Sequence, residues 1–379
     1  MLDSIYTFVA RILPYGSASF TAVAALAKSV FFILLFTMPL AGILTWLERR
    51  QSAMMQDRVG PNRANFGRFT FWGIPHFVAD AVKMIFKEDF VPPQANKLLF
   101  ALAPMLAVAP VLIATAIIPF GAPLCYGRMT EIVAPGTCAA PIELQAARLD
   151  AGLLFYFAIA SLAIYGAALA GWASHNKWAL MGGMRASSQM MSYEVTMGMA
   201  MMAMFLICGT LEPGAMVNVQ GNWPWQWQIF GIPQFIAFLL FLTAAIAESK
   251  RTPFDIPEGE SEIVGYFVEY SGMRFGMFYL GEFIEVITIS TIMVTVFFGG
   301  WRFPGAGHLA AILPNALFVL ASVLVWSLKV FLLCAFQLLI RWSLPRLRAD
   351  QLLRLGWQRL LPISIANVVL AAGWILLRR

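Results

Sequence analysis

The chain has 379 residues, of which 60% are apolar and 12% charged, with a mean hydropathy of +0.74. A soluble domain carries about a quarter charged residues, so this composition excludes a water-soluble enzyme, and recurrent apolar runs of about twenty residues indicate a polytopic helical membrane protein. The net charge of +6 lies mostly between those runs and argues for topology and anionic-lipid contact, not nucleic-acid binding.

The predicted fold is all-α: one integral membrane domain over residues 1–379, with about eight transmembrane helices and an interfacial amphipathic helix. Asp3, Arg11 and Pro14 interrupt the start of the chain, and no clear cleavable leader is expected there. Apolar runs place spans at 28–47, 98–120, 152–172, 189–210, 231–247, 273–298, 316–340 and 361–377. After the first comes ERRQSAMMQDRVGPNRANFGR, with a GPN turn signal, and then IPHFVADAVKMIFKED. In the latter, Ile74, Phe77, Val78, Ala81, Val82, Ile85 and Phe86 fall at helical spacing, with Asp80, Lys83 and Lys87 on or beside the polar side. It is too short and charged to span, so it should lie in the membrane interface. Placing connections 48–97, 173–188, 248–272 and 341–360 in the cytoplasm puts seventeen of the twenty-six Lys and Arg on that side, eighteen with Arg274 at the edge of the adjoining span, and both termini opposite.

Cys125, Cys138, Cys208 and Cys334 form no CxxC, and His76, His175 and His308 lie far apart, so no metal, haem or iron–sulfur site is expected. Cys125 and Cys138 share a predicted outer loop, where either a disulfide or two free thiols fits. Glu194, Glu282, Glu285 and Lys329 sit in apolar spans, where an isolated charge costs several kcal/mol and usually faces the bundle interior or a wet path. Local pairing is the structural alternative for each.

Charge concentrates further in ESKRTPFDIPEGESE, residues 248–262, which contains Glu248, Asp255, Glu258, Glu260 and Glu262 of the chain's twenty carboxylates. Pro253 and Pro257 break helix continuity, and Asp255 to Glu258 resembles a helix-start cap. On a helix continuing from there, Glu258, Glu262 and Glu269 would share one face, and carboxylates at close range raise one another's pKa, as a proton relay requires.

WLERRQSAMMQDRVGPNRANFGR, ADAVKMIFKEDFVPPQANK, GWASHNKWALMGGMRASSQMMSYE, AESKRTPFDIPEGESE and FVEYSGMRFGMFYLGEF run in order over residues 46–283, and RWSLPRLRADQLLRLGWQRLLP extends the pattern to 362. In these stretches the chain resembles the H-subunit family of NADH-quinone oxidoreductase, the membrane subunit of respiratory complex I that meets the peripheral arm. The resemblance implies a proton-pumping complex in a bacterial inner membrane, a mitochondrial one being the alternative. Quinone would be the substrate, with no flavin, iron–sulfur cluster or metal bound by this chain. Its partners would be the peripheral-arm quinone-site subunits, adjacent small membrane subunits and lipids. Arg49, Arg58, Asp80, Lys83, Lys87, Arg185, Arg251 and Asp255 would belong to the quinone chamber and its loops. Glu194, Glu248, Glu258, Glu260, Glu262, Glu282 and Lys329 would lie on the proton path. The homologous subunit of a membrane-bound hydrogenase shares the acidic loop, and a solitary ion transporter could use the same acids; no inverted repeat supports the latter.

The chain departs from the family pattern in three places. SEIVGYFVEY is one residue short before the aromatic, which on a helix turns every later residue by about 100°. Phe283 stands where Tyr usually follows the acid, removing a hydroxyl. Glu285 has no family counterpart. Within RTPFD, Arg251 and Asp255 are four residues apart and are expected to pair.

Overall fold

Long apolar segments with few breakers fold into helices that satisfy their own backbone, the one open-ended solution that lipid permits. The computed structural model describes residues 18–65, 69–125, 141–259 and 262–378. Helix α1 runs Ala18–Phe32, passes a π turn at Ile33–Thr37 just before Pro39 and continues over Met38–Met55. Helix α2 is Pro75–Phe86 and α3 is Lys97–Ala114. Helix α4 is Gly152–Ala173, interrupted between Ala160 and Ala163, and α5 is Lys177–Cys208. Helices α6 (Ile232–Glu248), α7 (Gly272–Phe297) and α8 (Asn315–Ser343) come next. The last, α9, joins Ala349–Arg354 through a π segment, Leu355–Leu360, to Leu361–Arg378.

Seven of these helices are long and apolar enough to cross a membrane. The 17-residue α6 is the shorter apolar helix, about 26 Å long and at the lower limit for a span. Among the described residues, the strands are two residues each, Leu124–Cys125 paired antiparallel with Pro141–Ile142. Cys138 and Glu260 lie outside the described residues, so neither the Cys125–Cys138 alternative nor the place of Glu260 is described.

Helix α7 is the central post. Of its most apolar 18-residue window, 94% is buried, as expected of a helix apolar on every side. Its Thr288, Thr291 and Thr295 hydroxyls donate to carbonyls of the preceding turn at 2.8, 2.6 and 2.7 Å, so these polar groups are satisfied within the helix. Small residues let α3 and α4 approach closely: a Cβ on Gly166 would stand 2.6 Å from the Ala107 backbone nitrogen. Helix α2 is amphipathic as predicted, with Val78, Val82, Ile85 and Phe86 exposed on one side while Phe77, Ala81 and Met84 turn toward α1 and α7.

Three expectations are corrected. The predicted loop 173–188 shrinks to residues 174–176, because Asn176 caps a helix that begins at Lys177; its side chain accepts from the Trp178 amide at 3.0 Å. Likewise, most of 341–360 is helical at the end of α8 and the start of α9. Conversely, no helix occurs among the described residues between α6 and α7, so Glu258, Glu262 and Glu269 share no helical face and Asp255 starts no helix. Pro253 and Pro257 cannot donate to a helical ladder, and Val264 (φ 66°) and Gly265 (φ 134°) turn the chain back instead. The one-residue shortening therefore falls in a turn, where it rotates no helix.

Candidate functional site

The connections predicted to share one side of the membrane do converge. Leu347 N donates to Pro253 O at 3.0 Å, Ser271 Oγ to Glu88 O at 3.0 Å, and Asn176 Nδ2 to the Glu269 carboxylate at 2.8 Å. Gln189, fully buried on α5, donates to the carbonyls of Ala247 and Phe254, both at 2.6 Å, and so ties the end of α6 to the acidic segment.

Under this layer lies an apolar cavity of about 540 Å³ between α1, α2 and α7. Met38, Phe77, Met84, Tyr279 and Phe283 line it, while Arg49, Asp80, Lys83 and Lys87 supply its charged rim. Arg49 and Asp80 pair at 2.6 Å. Gly42 and Gly276 bring the helices close enough to shape the cavity: a Cβ at either would meet Phe77 or Met84 at 2.9 Å. Beside it, Arg49, Arg58, Arg63 and His76 edge an open cationic hollow of about 660 Å³.

Above Phe283 sits a buried ion network. Glu48, 6% exposed, accepts from Arg251 at 3.2 Å and from Arg341 at 2.6 Å. The Arg251 guanidinium, 5% exposed, also covers the Phe283 ring with 4.1 Å to the centroid; the aromatic that lacks the usual hydroxyl thus serves as a cation–π platform. Asp255 pairs with Arg346 at 2.7 Å. The expected Arg251–Asp255 pair is therefore absent, because without a helix the four-residue spacing sets no common face and each finds a partner elsewhere in the chain. Burial raises the Asp255 pKa to about 6, against the opposing pull of Arg346 and Arg341.

On the far side of α7 the acids cluster. Glu248, Glu282 and Glu285 are all buried, and Glu248 Oε2 has no hydrogen-bond partner. Lys250, Tyr266, Glu282 and Glu285 line a void of about 10 Å³ closed by Ala107, Ala163, Ala167, Phe278 and Gly281. Glu258 keeps some exposed surface, but its Oε1 is buried and unpartnered. Burial pushes its pKa well up, and the adjoining Glu282 charge and carboxyl hydrogen bond push it further. Burial pulls the Lys250 ammonium down, but Tyr266, Glu285, Glu282 and Glu258 outweigh that and hold it above the ordinary lysine value. Buried Tyr266 is held neutral, its pKa raised by desolvation despite Lys250.

Other predicted site residues lie outside this cluster. Glu262 is largely exposed and pairs with Arg185 at 2.8 Å. Glu194 faces an open lateral hollow of about 310 Å³ with Leu154, Phe157 and Met202, although its charge acts on Glu248. The Lys329 ammonium donates to the carbonyls of Phe298, Gly300 and Arg302 at 2.9, 3.0 and 2.6 Å and lies 4.1 Å from the Trp227 ring centroid, at the far end of α7. Sequence reasoning missed Glu48, Lys250, Tyr266, Arg341 and Arg346, and gave Glu285 no role. Glu48 had a signal, closing an apolar span ahead of two arginines; Arg341 and Arg346 carried only a topological one.

A family model described as NADH dehydrogenase matches residues 27–372. A Koribacter versatilis protein, named as the second H subunit of NADH-quinone oxidoreductase in that organism, is 40% identical over 368 residues, covering 96% of this chain and 100% of its own. The first H subunit of Geobacter metallireducens is 42% identical over 353 residues, 92% of this chain and 95% of the relative. The H subunit of Flavobacterium psychrophilum is 39% identical over 354 residues, 92% and 97% of the two chains.

Proposed function

The chain belongs to the H-subunit family of NADH-quinone oxidoreductase, a membrane subunit of that H+-translocating complex, and from that premise we propose that it forms the quinone entry and links quinone reduction to proton movement. The observation that carries this reading is that one helix, α7, walls both compartments: Phe283 borders the apolar cavity while its neighbours Glu282 and Glu285 border the acidic void. The cavity's apolar lining suits an isoprenoid tail, and Arg49, Asp80, Lys83 and Lys87 at its rim suit a polar headgroup passing into partner subunits. A change of charge or proton occupancy at the headgroup would act on the Glu48–Arg251–Arg341 network and, through Arg251 and Asp255, on the carboxylates behind α7. Glu248, Glu258 and Glu282 are the groups that would gain and lose protons, with Glu194 and Glu260 also on the path, and Arg58 and Arg185 would belong to the loops of the quinone chamber. Lys329 would act at the opposite end of α7. The complex would sit in the bacterial inner membrane with the converging loops on the cytoplasmic side, facing the peripheral arm.

Glu248→Gln and Glu282→Gln, made in the assembled complex, test the coupling. Both should lower NADH–quinone turnover and proton pumping together, while NADH oxidation by an artificial acceptor upstream stays intact. Unchanged turnover and pumping in both variants would refute the role. A photoreactive quinone-site ligand should label residues of α1, α2 or α7 that line the cavity.

A further inference from the structure

The acidic chamber contains a buried cation, Lys250, and an acid, Glu285, that the family pattern did not supply. Lys250 follows the end of α6 with φ 55°, a left-handed conformation that a side-chain-bearing residue rarely adopts. It is 8% exposed, yet among the described residues its ammonium makes no ion pair within 4.0 Å and no hydrogen bond; its neighbour is the Tyr266 ring, 5.7 Å to the centroid. A buried ammonium needs acceptors for three donors. Glu285 is also 8% exposed, one turn beyond Glu282 on α7, and at i, i+3 the two share a helix face. All three groups and Tyr266 line a void of about 10 Å³, roughly the room that one water molecule occupies.

We infer that Lys250 and Glu285 are a mutually balancing charge pair within the acidic chamber, joined to Glu282 and Tyr266 through a single water site at its centre. The inference rests on the reading that these carboxylates carry protons. The water accepts a proton from one carboxyl and gives one of its own to the next, so it is regenerated and no other reactant is consumed. Lys250 and Glu285 are positioning groups whose opposite charges bias proton transfer through that water. The ionisable groups acting on the pair are Glu282 from α7, Tyr266, Glu258 and Arg251 from the loop, Glu248 from the end of α6 and Tyr156 from α4. Helix α3 contributes only Ala107 to the void.

The test uses the intact complex in its membrane, with Glu285→Gln, Lys250→Gln, the double variant and Glu248→Gln as a reference. Removing the cation favours protonated carboxyls, so Lys250→Gln should move the acid limb of the rate–pH profile toward alkaline pH. Removing the neighbouring acid should move it the other way in Glu285→Gln. Each single variant should lose turnover by about tenfold, and the double should recover most of it, with the pH limb back near the wild-type position. Lys250→Arg and Glu285→Asp should retain more activity than the neutral variants. Assembly is measured in parallel by NADH oxidation with an artificial acceptor; if a single variant fails to assemble, recovery of assembly in the double is the same test. If Glu248→Gln leaves turnover and pumping intact, the coupling reading fails and takes this inference with it. If Glu248→Gln impairs both, but Lys250→Gln and Glu285→Gln give additive losses, or shift the pH limb in one direction, the coupling stands and the charge pair is wrong.

Discussion

Glu48→Gln is the most severe single change that the ion network predicts, and its severity depends on which arginine it strands. Glu48 holds two guanidinium groups, Arg251 with 5% of its side chain exposed and Arg341 with 25%. Once the carboxylate is gone, Arg341 can turn to solvent, whereas Arg251 keeps only the face of Phe283 and already has Nε and Nη2 without partners. Leaving a buried charge uncompensated costs about 3–5 kcal/mol, and the cation–π contact with Phe283, already made in the wild type, offsets none of that change. Arg251→Met is milder: Glu48 retains Arg341 at 2.6 Å, and the loss is about 2 kcal/mol, that of one charge-assisted hydrogen bond. The double variant removes the stranded cation and should be more robust than Glu48→Gln alone, with a coupling of about 2–3 kcal/mol, while Arg251 and Asp255, which bond to different partners, should couple by less than about 0.5. A multisubunit complex does not unfold in two states, so the readouts are assembled complex per membrane and the order of thermal midpoints in detergent. The expected order is Glu48→Gln lowest, the double variant above it, and Arg251→Met close to the double. Glu48→Gln as robust as Arg251→Met, or stronger coupling of Arg251 to Asp255 than to Glu48, would refute the reasoning.

Gly42→Val should push Phe77 and α2 away from α1, since even a Cβ there stands 2.9 Å from that ring; the KM for a long-tailed quinone should rise several-fold more than kcat falls, and unchanged KM would exclude this cavity as the entry. Asp255, with its pKa raised to about 6, stabilises the folded chain when protonated and loses that contribution as pH climbs through about 6. Arg346→Gln removes the cation that favours its ionised form, so the corresponding limb of the rate–pH profile should move alkaline, which a pH series on membranes would detect. Lys329→Met strands three carbonyls beyond α7 and should lower the thermal midpoint of the complex; loss of pumping at an unchanged midpoint would instead favour a direct part in the proton path.

The class of the chain was legible before any coordinates, because a low-dielectric solvent leaves little choice. Apolar runs of spanning length must be helices with their backbone satisfied internally, so the eight-helix pattern and the amphipathic α2 could be read from hydropathy and spacing alone. Helix ends were less legible: α5 starts at Lys177 because Asn176 caps it, and a cap is a local hydrogen bond that a hydropathy window averages away. The importance of residues 248–262 was also plain, as charge beside lipid is too costly to be idle. Which charges meet was decided by tertiary structure alone. Glu48 and Arg251 are 203 residues apart and Asp255 and Arg346 are 91 apart, separations that carry no periodicity. Glu262, in the same short segment as Glu248, ends at the surface with Arg185, whereas Glu285, which the family pattern left unexplained, ends inside beside Lys250. Sequence determines how much charge the membrane segment must accommodate, and only the packing of α3, α4 and α7 around a single void decides which of those charges face one another.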